Sequence, residues 1–222
     1  MRNIIQIAVD GPAGSGKSTI AKKLAEKLDM LYIDTGAMYR ALTYKIISMG
    51  IDIGDDNAVT QAAKSSQILL EKGKVYIDGE DVGEKIRSTE VDAWVSRVAE
   101  IPQVREIMVG IQREMAMSQN VVMDGRDIGT NVLPGARYKF FLTASIEERA
   151  LRRYRDKKAS GAAENYETVK KEILRRDEID STREIDPLRK AEDAVVIDTT
   201  GKTIDEVLEQ ILMRLGDGVD VL

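Results

Sequence analysis

The 222-residue chain contains no cysteine and no histidine. Those two absences exclude disulfides, thiolate chemistry, ordinary zinc sites, histidine acid–base catalysis and the Ser-His-Asp machinery together. Any chemistry must run on Lys, Arg, Asp and Glu side chains and on bound ions. Long apolar runs are missing too: none approaches the roughly 20 residues that cross a bilayer, so no membrane partner is expected. The opening MRNIIQIAVDG is interrupted by Asp10 too early for a secretory apolar segment, and cytoplasmic residence is the expectation. An excess of positive charge is also lacking. A net charge of −5 argues against a protein that coats nucleic acid, while leaving room for local basic clusters. What is present, 43% hydrophobic and 32% charged residues, suffices for one substantial core with a small appended lobe.

Short apolar runs alternate with longer helical patterns. IIQIAV (4–9) precedes a helix over Lys17–Leu28, and LYI (31–33) precedes one over Ala37–Met49. After an interruption the alternation resumes with VVM (121–123), YKFFLTA (138–144), a helix over Ile146–Tyr154, AVVI (194–197) and a helix over Ile204–Leu215. Strands followed by crossover-length helices predict a parallel sheet of about four to five strands covered on both faces. Residues 51–100 follow another pattern: SQILLEKGKVYIDGEDV offers strand-like runs across Lys72-Gly73 and a second turn at Asp78-Gly79. An antiparallel hairpin or meander follows, inserted between the second and third core strands. KKASGAAENY (157–166) reads as a flexible lid between two charged helices, and the tail GDGVDVL as frayed.

GPAGSGKST, Gly11 to Thr19, satisfies G-x-x-x-x-G-K-[ST] between a predicted strand and a predicted helix. Gly11, Gly14 and Gly16 let backbone amides wrap a phosphate group, with Pro12, Ala13 and Ser15 completing the loop, and the helix beginning near Lys17 points its positive end at the anion. Lys17 brings a cation to the β- and γ-phosphates, and Ser18 offers a hydroxyl to Mg²⁺. The alternative is a glycine-rich turn without a ligand, which the full motif in its required setting disfavours. A GTPase would carry Asn-Lys-x-Asp, and no asparagine here precedes a lysine. Transfer of a nucleoside triphosphate's terminal phosphoryl group to a small acceptor is the remaining large class.

Two further motifs follow core strands, where open α/β sheets bind ligands. In DTGAMYR (Asp34 to Arg40), Arg40 suits an acceptor phosphate. In DGRDIGT (Asp124 to Thr130), Asp124 suits Mg²⁺ through its waters, Arg126 a phosphate, and Asp127 an amino group as donor. Either motif alone is also compatible with an ordinary helix cap or turn. The last is RRDEIDSTREIDP (Arg175 to Pro187), whose mixed charges usually mark a solvated helix face. Arg176, Asp180 and Arg183 nevertheless share a face if the helix continues, with Glu178 and Thr182 pointing elsewhere. Two guanidinium forks around one carboxylate suit a sugar and its phosphate.

Taken in order from about Ile4 to Leu215, GPAGSGKST, DTGAMYR, DGRDIGT, the Thr143-Ala144-Ser145 turn before EERALRR, and RRDEIDSTREIDPL resemble the bacterial-type cytidylate kinases, P-loop nucleoside monophosphate kinases. The resemblance implies an α/β, P-loop NTPase-type three-layer fold with a parallel sheet, a small inserted antiparallel acceptor lobe and a short lid. A single domain is expected, with a core over 1–50, 100–154 and 167–222, a lobe over about 51–100 and a lid over about 155–166. It implies ATP as donor and CMP or dCMP as acceptor, Mg²⁺ as cofactor, and a monomer. By position it assigns cytosine to Ser96, Arg105 and Asp127, ribose to Arg176 and Asp180, and the acceptor phosphate to Arg40, Arg126 and Arg183, with Thr35 in the same acceptor-binding set. Lys17 and Arg126 would act on the transferring phosphoryl with arginines of the arm ERALRRYRDKK: Arg149 and Arg153, beside Arg152. Trp94, next to Ser96, is read as packing within the lobe. A kinase of UMP, dTMP, shikimate or dephospho-coenzyme A, and a non-catalytic ATP-binding switch, are the alternatives.

Overall fold

The structure, a computed structural model, describes residues 4–71, 73–159, 161 and 163–216. Along the chain run β1 (Gln6–Asp10), α1 (Lys17–Lys27), β2 (Leu31–Asp34), α2 (Thr35–Ser48), α3 (Asp56–Lys64), β3 (Ile68–Glu71), β4 (Lys74–Ile77), β5 (Glu80–Asp81), α4 (Thr89–Glu100) and α5 (Pro102–Met115). They continue as β6 (Val121–Gly125), β7 (Tyr138–Thr143), α6 (Ile146–Ala159), α7 (Tyr166–Thr182), β8 (Val195–Asp198) and α8 (Ile204–Leu215). Two compact units emerge, one built from the chain up to Tyr32 and from Gln119 onward, the other from Ile33–Ser118.

Each of the five apolar runs forms a strand of one sheet, in the order β2-β6-β1-β7-β8. Pairing is parallel where β1 meets β6 and β7 and where β7 meets β8. The centre of such a sheet is covered on both faces, so its strands need apolar side chains at consecutive positions rather than alternate ones. Ile7, Ala8 and Val9 of β1 and Val121, Val122 and Met123 of β6 are accordingly all fully buried. On one face Ile20, Leu24, Val207, Ile211 and Leu215 of α1 and α8 pack against Ile7, Val9, Phe140 and Leu142. Helix α8 is fixed at its start by a capping box: Thr203 Oγ1 accepts from Glu206 N, and the Glu206 carboxylate accepts from Thr203 N at 2.7 Å. The crossover from β1 leads to β2 on one side and that from β6 passes β1 to reach β7 on the other, so strand order reverses at β1. The segments after β1 and β6 consequently share the carboxyl edge of the sheet, where α/β folds hold ligands.

The second unit contains the expected antiparallel piece, a three-stranded sheet β3-β4-β5. Asp78 and Gly79 join β4 to β5 with φ of 52° and 83°, the paired left-handed conformation that suits a tight hairpin. Helices α3, α4 and α5 were not read from the sequence. Their starts are nonetheless chemically marked: Asp55 accepts from the amides of Asn57 and Ala58, Ser88 from that of Val91, and Pro102 opens α5. Helix α6 runs to Ala159, beyond the Tyr154 expected, and Lys157 pairs with Glu164 at 2.5 Å and Glu172 at 2.9 Å. Within the lid reading of 157–166, Ser160 and Ala162 lie outside the described residues, as do Lys72 of the first hairpin turn and residues 217–222 of the tail. No helix among the described residues is long and apolar enough to cross a membrane.

Gly110 sits exposed inside α5 with nothing within 4 Å of where a Cβ would stand. Gly110→Ala removes the backbone entropy that glycine loses in a helix and strikes nothing, so it should raise stability by about 0.5–1 kcal/mol. Thermal unfolding of the two proteins by calorimetry checks this; an equal or lower Tm for the variant refutes it.

Candidate active site

Strand β1 delivers the chain into the glycine loop, and the loop's shape is dictated by what packs beneath it. A Cβ on Gly11 would lie 2.1 Å from the Leu142 carbonyl oxygen of β7, and one on Gly14, at φ 74°, would lie 2.9 Å from the Arg149 carbonyl oxygen of α6. Glycine is required there for close approach of protein to protein as much as for wrapping an anion. Gly16 caps α1 in the left-handed conformation, and Lys17 opens the helix. The Lys17 side chain is buried, its ammonium 3.4 Å from the Pro12 carbonyl oxygen, while Ser18 and Thr19 are exposed. Ser15 Oγ is a buried hydroxyl without a hydrogen-bond partner.

Strand β6 ends on Asp124, which is 1% exposed and accepts from Ser18 Oγ at 2.7 Å and from Tyr32 Oη at 2.8 Å. Two residues on, Arg126 Nε donates to Asp180 Oδ2 at 2.6 Å, and Arg176 Nε lies 4.0 Å from the same oxygen. Asp127 accepts from Arg183 Nη2 at 3.2 Å and from Asn131 Nδ2 at 3.1 Å. Helix α7 ends at Thr182, so Arg183 is its C-cap, held by Nε donating to the Asp186 carbonyl at 2.7 Å. Asp180 and Arg183 are buried, whereas Glu178 and Thr182 are exposed. The inner face of RRDEIDSTREIDP is therefore an ion-pair network and not a solvated surface. Burial opposes charge on both Arg126 and Asp180, yet each outweighs it through its partners. Asp180, Asp177 and Asp124 hold Arg126 further protonated, and Arg126, Arg176 and Arg183 hold Asp180 below the usual carboxylate range.

Four residues that the sequence reading did not single out complete this region: Tyr32, Asp10, Asp177 and Thr199. Both oxygens of buried Asp10 accept backbone amides, from Ile128 and Gly129 at 2.8 Å each, and so pin the π-helical turn Ile128–Val132 that follows Asp127. Arg149 donates from Nε to the Ala144 carbonyl at 3.1 Å, from Nη1 to the Ala13 carbonyl at 3.0 Å, and to Asp177. Arg152 grips Thr199 through its hydroxyl at 2.9 Å and its carbonyl at 2.7 Å, and Thr199 Oγ1 donates to the Ser15 carbonyl at 3.1 Å. Arg153 is half-buried on α6. Asp10 and Tyr32 sit in strands, Asp177 in a helix and Thr199 just beyond β8, and their remote partners are not written in the local sequence.

Within the second unit, Asp34 caps α2 by accepting from Ala37 N at 2.8 Å, and Thr35 is buried behind it. Arg40 donates to the Ile86 carbonyl at 3.0 Å and pairs with Asp92. Ser96 of α4 and Arg105 of α5 are buried; Arg105 donates to the Ala99 carbonyl at 3.4 Å and lies 6.0 Å from the centroid of the Tyr39 ring. Trp94 is 45% exposed on α4.

The family model described as cytidylate kinase matches residues 7–216. The chain belongs to the cytidylate kinase family. It is 54% identical to a cytidylate kinase of Alkaliphilus oremlandii over 95% of this chain and 97% of that one, and 53% identical to one of Clostridioides difficile over 97% and 99%. A gluconokinase structure from Sinorhizobium meliloti shares the fold at a TM-score of 0.50 and 17% identity, covering 99% of this chain and 96% of that one. In this family member the oxygen set at Ser18 and Asp124 fits Mg²⁺, which favours one or two protein oxygens with waters and substrate phosphates over a cage of carboxylates. Among the described residues no three acidic side chains group as such a cage.

Burial raises the Asp10 carboxyl from 3.8 to about 6 against the amide bonds from Gly129 and Ile128; Asp127 adds to the rise and Lys17 opposes it. The folded kinase thus binds a proton that the unfolded chain has already released. The stabilisation by that proton is complete below the unfolded value and is lost as pH rises through about 6. Asp10→Asn lacks this titration but forfeits one amide acceptor at every pH. The stability advantage of the unaltered protein over this variant should therefore shrink by on the order of 2–3 kcal/mol between about pH 4 and about pH 7. Urea unfolding of both proteins at each pH measures it, and a pH-independent difference contradicts the assignment.

Proposed function

We propose that this protein transfers the γ-phosphoryl group of ATP to CMP, and to dCMP, forming CDP or dCDP and ADP. The observation that carries the reading is the buried network of Arg126, Asp180, Asp127 and Arg183 on the acceptor motifs of a cytidylate kinase family chain. A protein that merely needed a solvated helix would not desolvate two guanidinium groups. The donor is assigned to Gly11, Pro12, Ala13, Gly14, Ser15, Gly16, Lys17, Ser18 and Thr19. The acceptor phosphate goes to Arg40, Arg126 and Arg183, the ribose to Arg176 and Asp180, and the cytosine to Ser96, Arg105 and Asp127, with Thr35 beside them. The donor set at Ser18 and Asp124 supports Mg²⁺ as cofactor, Asp124 acting through water.

Phosphoryl transfer passes through a loose transition state whose charge spreads over the equatorial oxygens, so protein groups chiefly position and neutralise. Lys17 sits at the amino end of α1, where helix dipole and ammonium act in the same direction. Arg149 and Arg153 project from α6 as the remaining cations for the transferring group, Arg149 from a site fixed by the loop itself. No residue need abstract a proton, because the attacking oxygen belongs to an ionised phosphate. Mg²⁺ would neutralise charge on the β- and γ-oxygens. We also infer a monomeric cytoplasmic enzyme acting on small molecules, supported by the family and by the net charge of −5.

Coupled detection of ADP with chromatographic identification of product, across CMP, dCMP, UMP, dTMP, shikimate and dephospho-coenzyme A, tests the proposal. CDP from CMP at the highest kcat/KM, or dCDP from dCMP beside it, is expected. A better acceptor among the others, or ATP binding without any product, replaces it with another kinase or with a binding switch. Arg183→Ala should lower kcat/KM for CMP by at least ~1.5 kcal/mol, the low end for a charge-assisted hydrogen bond. Asp127→Ala should bring CMP and UMP kinetics closer together, since uracil lacks the exocyclic amino donor; an unaltered ratio removes Asp127 from base reading.

A further inference from the structure

Ala13, at the crown of the glycine loop, has both of its backbone polar groups taken by side chains distant in sequence. Its amide donates to Asp177 Oδ1 at 3.1 Å, and its carbonyl accepts from Arg149 Nη1 at 3.0 Å. The same guanidinium nitrogen pairs with Asp177 Oδ2, closing a ring of three residues from the loop, α6 and α7. Apolar contact reinforces the ring, for the Ala13 side chain packs with Ala150, Val169 and Ile173 of the same two helices. Gly14 then passes so close to Arg149 that no Cβ fits. Loop position is thus set by α6 and α7 as well as by β1.

Asp177 is chemically out of place. A carboxylate beside a loop that wraps phosphate repels the anion through a medium of low dielectric, and its neighbours Arg176 and Asp180 belong to the acceptor face of α7. What makes it tolerable is Arg149, which neutralises it, while its second oxygen supplies the acceptor that the Ala13 amide needs once buried. Asp177 also lies among the carboxylates that keep Arg126 charged.

We propose that Asp177 is a positioning residue for the donor site: with Arg149 it locks the glycine loop to α6 and α7, so that a residue on the acceptor helix governs ATP binding. The inference rests on the reading of Gly11–Thr19 as the ATP site. Asp177→Asn keeps an oxygen for the Ala13 amide and loses the charge that holds Arg149. It should raise KM for ATP at least fivefold and leave KM for CMP within twofold. A general loosening of the fold would move both constants, and an acceptor role would move the second.

The sharper expectation concerns the pair. Arg149→Ala leaves the Asp177 carboxylate unneutralised beside the loop, so ATP affinity should fall more than tenfold, and adding Asp177→Asn to that variant should recover at least threefold of it. Equilibrium titration with a fluorescent, non-hydrolysable ATP analogue reads these changes without any turnover. A protein that binds the analogue but makes no CDP would defeat the kinase reading and leave this inference standing. If Asp177→Asn shifts KM for CMP as much as KM for ATP, or shifts neither, the positioning role is wrong. It is equally wrong if the two substitutions together weaken analogue binding by the product of their separate effects. Should Asp177→Asn fail to fold, Arg149→Lys, which keeps the charge but not the fork, must show the same selective loss in the titration.

Discussion

Charge that has been taken out of water before any ligand arrives is the constraint around which this structure is arranged. A guanidinium held charged, oriented and partly dehydrated is unstable unless it is paired, and four arginines of this chain stand in that condition. Here each is given a carboxylate: Asp180 for Arg126, Asp127 for Arg183, Asp92 for Arg40 and Asp177 for Arg149. The overall negative charge of the chain is consistent with that pairing.

Backbone architecture supplies the orientation. Parallel strands end at one edge, so the segments after β1 and β6 meet there without any special signal between them in the sequence. Asp10 links them directly, since it closes β1 and accepts amides from the turn that follows Asp127. On the other side Thr199, just beyond β8, ties the loop carbonyl of Ser15 to Arg152. Three strand ends thereby share one hydrogen-bonded frame, and the glycine loop is its centre. Such a frame explains why the loop tolerates so many glycines without becoming slack: Gly11 and Gly14 each lie against a neighbour's backbone.

What was legible in the sequence follows from the same physics. Buried parallel strands need uninterrupted apolar side chains, and IIQIAV, VVM and FFL announce themselves in a chain where a third of residues are charged. The phosphate loop is legible because its function constrains backbone conformation at several consecutive positions. Helices α3 and α4 are less visible: their buried faces rest on small or short residues such as Ala62, Ala63, Val91 and Val95, interleaved with many charges. Asp10 and Asp177 were illegible for another reason. A carboxylate that accepts a backbone amide from a remote loop looks in sequence like any solvated acid, and only the fold decides which it is.

RRDEIDSTREIDP illustrates how that decision is made. By composition it is a surface helix, and half of it behaves as one: Glu178, Ser181 and Thr182 face solvent. The spacing of Arg176, Asp180 and Arg183 places the other half on one stripe, and that stripe meets DGRD at the end of β6. Asp177 stands a turn before the helix end but off that stripe, and is aimed at the glycine loop instead. One turn of α7 therefore addresses two different segments: Asp180, flanked by Arg176 of its own helix, meets Arg126 after β6, and Asp177 meets Ala13 and Arg149. Helical geometry makes such division possible, since consecutive side chains diverge by about 100° and cannot serve the same neighbour. A charged segment of this kind gains its meaning from partners on both sides, which is why its composition alone reads as solvated.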